Sequence, residues 1–447
     1  MDFRKTAERL IDTCNASTCS FTSARYAMKR LSEAGFERLD LTGDFNVQFG
    51  GRYYVNVFDS SVIAFTIGKK FADNNNIRIA ASHTDHPCLA IKPNPEMLVK
   101  EYGRINVEVY GGPILNTWLD RPLSVAGRVS LKSDNVFAPE KKIVDFDRPV
   151  FTIPNLAIHM NRKINEGIEL NRQTDMIPLA TVIEDELNKN DFFMEYLAKE
   201  LSVAKDDILD FELYVYNYDK GQFVGLNEEF ISCPRLDNTT SVESCVQGII
   251  NAGREEGFNI AAMFDNEEVG NRTKQGAASS VLTIIMERVY AKLGFDRDRY
   301  LRDLTDGFLL SIDVAHACHP NRSEKADPTN VNILNQGVII KRAASQTYAT
   351  DCESVGIIEQ LCHKYDVKYQ KFANRSDGTT GSTLGSPAST LMAMKAVDIG
   401  IPMLAMHSAR EMMGVKDQVY LEQLVNAFFT EYFWQNVAYI ECRIVKF

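Results

Sequence analysis

The stretch Asn259-Ile-Ala-Ala-Met-Phe-Asp-Asn-Glu-Glu-Val-Gly270 runs from a short apolar segment straight into adjacent carboxylates and a glycine. Ile260 to Phe264, bounded by polar residues, has the pattern of a strand buried on both faces, so Glu267 and Glu268 stand just past its carboxyl end. In open α/β sheets that edge is where ligands bind. Two neighbouring glutamates there can divide the work of a metallohydrolase, one holding a metal and the other accepting a proton from metal-activated water. A solvated acidic turn accounts for an isolated Glu-Glu pair as well, because exposed charges are common. Partners elsewhere in the chain decide between the two.

Three further segments repeat the design. Asn76 to Ser82 reads as a strand that empties into His83-Thr-Asp85-His-Pro87. If the strand continues, His83 and Asp85 share a face, and the carboxylate can hold the imidazole in one tautomer. Gly307-Phe-Leu-Leu-Ser-Ile-Asp313 delivers an acid with His316 and His319 close behind, and Ile401-Pro-Met-Leu-Ala-Met406 delivers His407. Asp237, in Pro234-Arg-Leu-Asp237, precedes an amphipathic helix running to about Ala252. A parallel arrangement gathers the strand tips into one crevice, where two histidines and three carboxylates, with one glutamate to spare, suit zinc, manganese or cobalt. A carboxylate can bridge two such ions.

At 447 residues and 45% hydrophobic, the chain is long enough for two domains. Its net charge of -11 argues against nucleic acid or an anionic membrane as a general partner. The first ten residues mix charges of both signs, and no apolar run approaches a membrane span, which predicts a soluble cytoplasmic protein. Nine cysteines, odd in number and without a Cys-x-x-Cys pair, argue against a disulfide framework and a thiolate zinc site.

Two amphipathic helices are expected at about Phe3 to Cys14 and Ser23 to Ala34, followed by strands at Tyr53 to Phe58 and Val62 to Ile67. From Cys88 to Ser232 the texture is β-rich, with strands such as Arg104 to Tyr110, Leu123 to Leu131 and Phe211 to Tyr216. That predicts a β-rich domain over 88–232 inserted into a discontinuous α/β domain of 1–87 and 233–447. His159, inside the insertion, reads by itself as structural. Further on come helices at about Ala278 to Leu293 and Thr350 to Tyr365, with a short strand Val338 to Arg342 between them that ends on bases. The glycine-rich loop Asp377 to Gly385 lacks the Gly-Lys-Ser/Thr ending of a phosphate loop. It suits close approach of a substrate to backbone at Gly378 and Thr379, ahead of a helix expected to reach about Asp398.

Taken together, His83-Thr-Asp85, Arg235-Leu-Asp237-Asn, Phe264-Asp-Asn-Glu-Glu-Val-Gly270, Asp313-Val-Ala-His316-Ala-Cys-His319-Pro-Asn321 and Met406-His-Ser-Ala-Arg-Glu411 resemble the motifs of the aspartyl aminopeptidase and aminopeptidase I family of dinuclear zinc exopeptidases. The similarity runs through nearly the whole chain, including Tyr110-Gly-Gly-Pro and Thr117-Trp-Leu-Asp-Arg121. It departs at Pro234, Asn271 and Gly381-Ser382. The resemblance implies a zinc-exopeptidase-like α/β sandwich with a mixed, largely parallel central sheet and an inserted dimerisation domain.

By the same resemblance Asp237 bridges two divalent ions, His83 and Asp313 complete one, and Glu268 and His407 the other. Glu267 is then the general base for attack of a metal-bound hydroxide on the peptide carbonyl, and Asp85 orients His83. His316, His319 and Lys341 lie near the substrate, and His159 reaches the active site of a neighbouring subunit. Family members form dimers that assemble into a tetrahedral homododecamer. The substrates implied are peptides with a free amino terminus, and Lys341 at the end of its strand suggests Asp or Glu as the first residue. Alternatives are a neutral first residue, a related dinuclear carboxypeptidase or deacylase, and a non-catalytic shell or cargo-binding protein.

Overall fold

The computed structural model describes residues 2–72, 76–183, 191–378 and 381–432. Its centre is a nine-stranded mixed sheet in the order Glu37–Leu39, Arg52–Val57, Ser61–Ile67, Phe258–Phe264, Ile77–His83, Phe308–Ile312, Lys395–Gly400, Val338–Lys341, Tyr369–Phe372. The four strands from Phe258–Phe264 to Lys395–Gly400 run parallel to one another, with antiparallel neighbours on both sides. Phe258–Phe264 and Ile77–His83 are buried along their whole length, which is why both read as unbroken apolar runs.

Each face of this sheet has its own core. On one face Leu10, Leu31, Val246 and Leu424 bring the helices Phe3–Ala16, Ser20–Glu33, Leu236–Asn251 and Val415–Thr430 against Ala261, Leu310 and Val397. On the other, Ile285, Met286 and Tyr290 of Val281–Lys292 and Leu304 of Arg297–Thr305 pack on Ile79, Ile260 and Leu309. The result is an α/β sandwich, as expected.

Residues 88–217 build a six-stranded antiparallel sheet in the order Glu140–Asp145, Leu123–Leu131, Ile208–Asn217, Cys88–Val99, Tyr102–Tyr110, Leu179–Val182, around a third core that includes Leu89, Val107, Val125 and Val215. Cys88–Val99 escaped the sequence reading because Pro93 and Pro95 interrupt it. They fall where the register with its neighbour shifts between Ile91 and Glu96, so no ladder hydrogen bond is lost to them. Helix Arg297–Thr305 was also missed, since its buried apolar side is only Tyr300 and Leu304.

Two expectations need correction, both around Asp398. The helix after the glycine-rich loop is only Gly385–Leu391, and Asp398 belongs to the central strand Lys395–Gly400. There its buried carboxylate accepts hydrogen bonds from Ser311 Oγ (2.6 Å), Thr383 Oγ1 (2.6 Å) and Ala349 N (2.6 Å), a set that only a position inside the sheet collects. The segment before His407 is in turn not a strand of the central sheet. Pro402–Leu404 belongs to a small five-stranded sheet ordered Gln222–Val224, Phe230–Cys233, Glu411–Gly414, Pro402–Leu404, Ala315–His316. Lys395–Gly400 takes the central place, and Gly400 makes the transition, since a Cβ there would lie 1.7 Å from the Asp313 carbonyl oxygen.

Candidate metal centre

His83 is the last residue of its strand and pairs with Phe264, so both strands stop at the same level. Past Phe264 the chain reverses through Asn266 (φ 64°) into a short helical turn, Glu267–Val269, that closes on Gly270 (φ 101°). Asp85 pins this turn. Its Oδ1 accepts the Glu267 amide at 3.1 Å, and its Oδ2 accepts the Glu268 amide at 3.1 Å and the Tyr110 hydroxyl at 2.8 Å. Burial works against ionisation of Asp85, but His83, Tyr110 and the Glu268 amide outweigh it and hold its carboxyl below the usual range.

Asp237 enters from the start of Leu236–Asn251, where its backbone is not yet helical, and its amide is held by Glu411 Oε2 at 2.9 Å. It sits between the two histidines, with Oδ1 3.4 Å from His83 Nε2 and Oδ2 3.5 Å from His407 Nε2. Asp313 Oδ1 lies 3.6 Å and Glu267 Oε2 3.9 Å from His83 Nε2, and Glu268 Oε2 lies 3.5 Å from His407 Nε2.

Both imidazoles are held from behind by carbonyl oxygens, His83 Nδ1 by Asp85 O and His407 Nδ1 by Gly112 O, each at 3.1 Å. A carbonyl only accepts, so Nδ1 carries the proton and Nε2 faces the cluster as the nitrogen able to bind a metal. Asp85 therefore orients His83 through its carbonyl, with its carboxylate at 3.4 Å.

Burial pushes Glu267 up to about 8 against the pull of His83, and pushes Glu268 well up, helped by Asp237. His83 is raised although burial opposes it, because Asp237, Asp313 and Asp85 surround it. His407 rises to about 10 for a like reason, with Asp237 and Glu268 beside it. The donors of His83, Asp237 and Asp313 lie within 4.8 Å of one another, as do those of Asp237, Glu268 and His407, and Asp237 Oδ1 is buried without a hydrogen bond. Imidazole nitrogens and carboxylate oxygens without thiolate fit divalent zinc.

The family described as "Aminopeptidase I zinc metalloprotease (M18)" matches residues 13–429. The chain belongs to the M18 family of zinc aminopeptidases. It is 45% identical over 426 residues to a probable M18 family aminopeptidase 2 of Clostridium novyi (strain NT), covering 95% of this chain and 98% of that protein. The corresponding Clostridium acetobutylicum protein is 44% identical over 424 residues, with 95% and 98% covered. Among solved structures, Ape4 from its complex with Nbr1 superposes with a TM-score of 0.91 at 33% identity, covering 96% of this chain and 86% of that one.

In this M18 enzyme the cluster opens into a cleft of about 360 Å³ lined also by His316, Lys341, Tyr348 and Thr383. Lys341 is buried at the end of Val338–Lys341 with Nζ 3.6 Å from Asp313 Oδ2 and 5.4 Å from the centre of the Tyr348 ring. Its charge is partly balanced from within the protein by Asp313. His316 faces the cleft; His319 lines an adjoining one. His159 lies in an exposed turn, and it is not among the residues that line the cleft. Gly378 is described but does not line the cleft, whose glycine-rich wall comes from Gly381, Ser382 and Thr383; Thr379 lies outside the described residues.

The sequence reading gave no role to Glu411, whose buried carboxylate ties the amides of Asp237 and His407 (2.9 and 2.8 Å), to Gly112, or to Tyr348. Glu411 and Gly112 fall inside quoted motifs, and this was the available signal; Tyr348 had none. Among the described residues every cysteine is free, and no helix is long and apolar enough to cross a membrane.

Proposed function

We propose that Asp237 bridges two divalent ions, zinc or in its place manganese or cobalt, with His83 and Asp313 completing one position and Glu268 and His407 the other. The observation that carries this reading is that Asp237 turns one oxygen toward each histidine, at 3.4 and 3.5 Å. When bound, such ions polarise a carbonyl and lower the pKa of water. The Glu267 carboxylate makes no hydrogen bond among the described residues and faces the same space, so it is free to take the proton of the attacking water and pass it to the leaving amine. Asp85 holds both His83 and the turn that carries Glu267 and Glu268.

The substrates are peptides with a free amino terminus, and Lys341 with Tyr348 selects Asp or Glu as the residue released. The 3.6 Å pair between Lys341 and Asp313 favours a second reading, release of neutral first residues by the same centre. Residues 1–87 and 233–447 form the catalytic unit, and 88–232 a dimerisation unit from which His159 reaches the partner's cleft. Its neighbours Leu156, Ile158 and Met160 are 56%, 48% and 74% exposed, an apolar surface that suits a subunit contact. Dimers then build a tetrahedral dodecamer in the cytoplasm.

Exchange of the two glutamates for glutamine tests the core of this. Glu267→Gln keeps both ions and loses about 10²–10⁴-fold in kcat, the usual worth of a general base; Glu268→Gln loses one ion. Metal analysis with aminoacyl and amino-blocked substrates reads both outcomes. Reversed behaviour of the two variants sinks the assignment, and cleavage of blocked substrates alone would make the enzyme a deacylase.

A further inference from the structure

Asp398 is wholly buried and does not line the cleft, yet it is tied to the cleft's walls through several segments of the chain. Its Oδ1 accepts from Thr383 Oγ1, on the glycine-rich wall, and from Ser311 Oγ, while its Oδ2 accepts from the Ala349 amide, next to Tyr348. Its own amide donates to Thr350 Oγ1 at 2.9 Å, so side chain and backbone together clasp the loop that carries Tyr348. Continuing the pairing of Ile339 with Gly400 and Ile340 with Ile399 sets Lys341 opposite Asp398, on the same face of the sheet. Burial pushes the Asp398 carboxyl up, against the pull of Ser311, Thr383, Lys341 and the Ala349 amide. Gly385 completes the fit, since a Cβ there would lie 2.7 Å from both carboxylate oxygens.

Tyr348 and Thr383 both belong to connections between elements, Tyr348 ahead of helix Cys352–Lys364 and Thr383 ahead of Gly385–Leu391, and neither has a strand ladder to hold it. Such connections move more than the elements they join unless something fixes them. We propose that Asp398 is a positioning residue that fixes Tyr348 and Thr383 relative to Lys341 and so sets which first side chain the cleft accepts. This rests on release of the first residue at the metal centre. A substrate that begins with glycine has no side chain to meet those walls, so it is blind to their placement.

The test uses the full-length, metal-loaded enzyme with the aminoacyl 4-nitroanilides of glycine and of its best-cleaved residue. Asp398→Ala should keep its bound metal, read by elemental analysis. It should lower kcat/KM for the best-cleaved residue by about tenfold, through KM more than kcat, and change the glycyl substrate by less than about threefold, because bonds to a wall are lost and the reacting centre is not touched. Thr383→Val keeps the shape of the wall and gives up only its bond to the carboxylate. It should narrow the ratio between the two substrates by about threefold, and add nothing further in the Asp398→Ala background. An unchanged ratio in Thr383→Val overturns the proposal even where Asp398→Ala fails to fold. Loss of metal with an equal fall for both substrates overturns it as well, and assigns the effect to Asp313 by way of Ser311. An unaltered enzyme that releases the first residue of neither substrate, nor of any tripeptide, brings down the reading of the metal centre, and this one with it.

Discussion

The two histidines of the centre are chemically alike and structurally opposite. His83 ends a fully buried strand of the central sheet and its side chain is 1% exposed; His407 follows a strand of the small sheet, has φ 65° and is 32% exposed. Behind His83 stands Asp85, two residues on in the same segment, whereas behind His407 stands Gly112, a backbone oxygen just past the strand Tyr102–Tyr110 of the six-stranded sheet. The His83 ring is therefore held from within its own segment, and the His407 ring from across the meeting of two sheets. Such a difference predicts unequal affinity for two otherwise similar ions, because outer partners tune metal binding.

The largest effect belongs to the residue that the two sides share. Asp237→Ala should release both ions and lower kcat/KM by more than about a thousandfold, the scale of losing a preorganised electrostatic centre. Retention of one ion, measured by elemental analysis, would break the symmetry of the comparison and show that Asp237 serves a single side.

A smaller effect is confined to the His83 side, where Lys341 faces Asp313. Lys341→Met should lower kcat/KM for Asp and Glu substrates by about ten- to hundredfold and spare Leu substrates, the worth of one charge-assisted contact. Better cleavage of Leu than of Asp by the unaltered enzyme would falsify the acidic preference and assign Lys341 to Asp313 instead.

The smallest effect sharpens the comparison itself. Mixing the zinc-loaded enzyme with an excess of chelating dye should release two ions in two phases at least about tenfold apart in rate. The fast phase belongs to the Glu268 and His407 side and should be absent in His407→Ala. A single phase in the unaltered enzyme would mean that exposure and outer partners leave the sides equal.

The His83 side was also the more legible of the two in the sequence. Strands buried on both faces announce themselves as apolar runs, and in Ile77–His83, Phe258–Phe264 and Phe308–Ile312 the ligand residue follows within a few positions. For His407 the residue was found but its strand was misplaced. Lys395–Gly400 carries a buried aspartate and a lysine, and its apolar content is lower than that of the segment after it, so the real central strand read as helix. Asp398 became intelligible only with Ser311 and Thr383 around it. The same holds for Glu411 and for Gly112, where the chemistry comes from a backbone oxygen that any residue could supply. Long-range contacts of that kind leave no periodicity behind.

Gly111 and Gly112 carry one more consequence. Gly111, at φ 72°, already leaves only 3.2 Å between the site of an added Cβ and Glu268 Cβ, and Gly112 holds His407. The ring of His407 thus stays aimed only while the six-stranded and central sheets keep their seating, so the hold on this residue registers the docking of one sheet against the other.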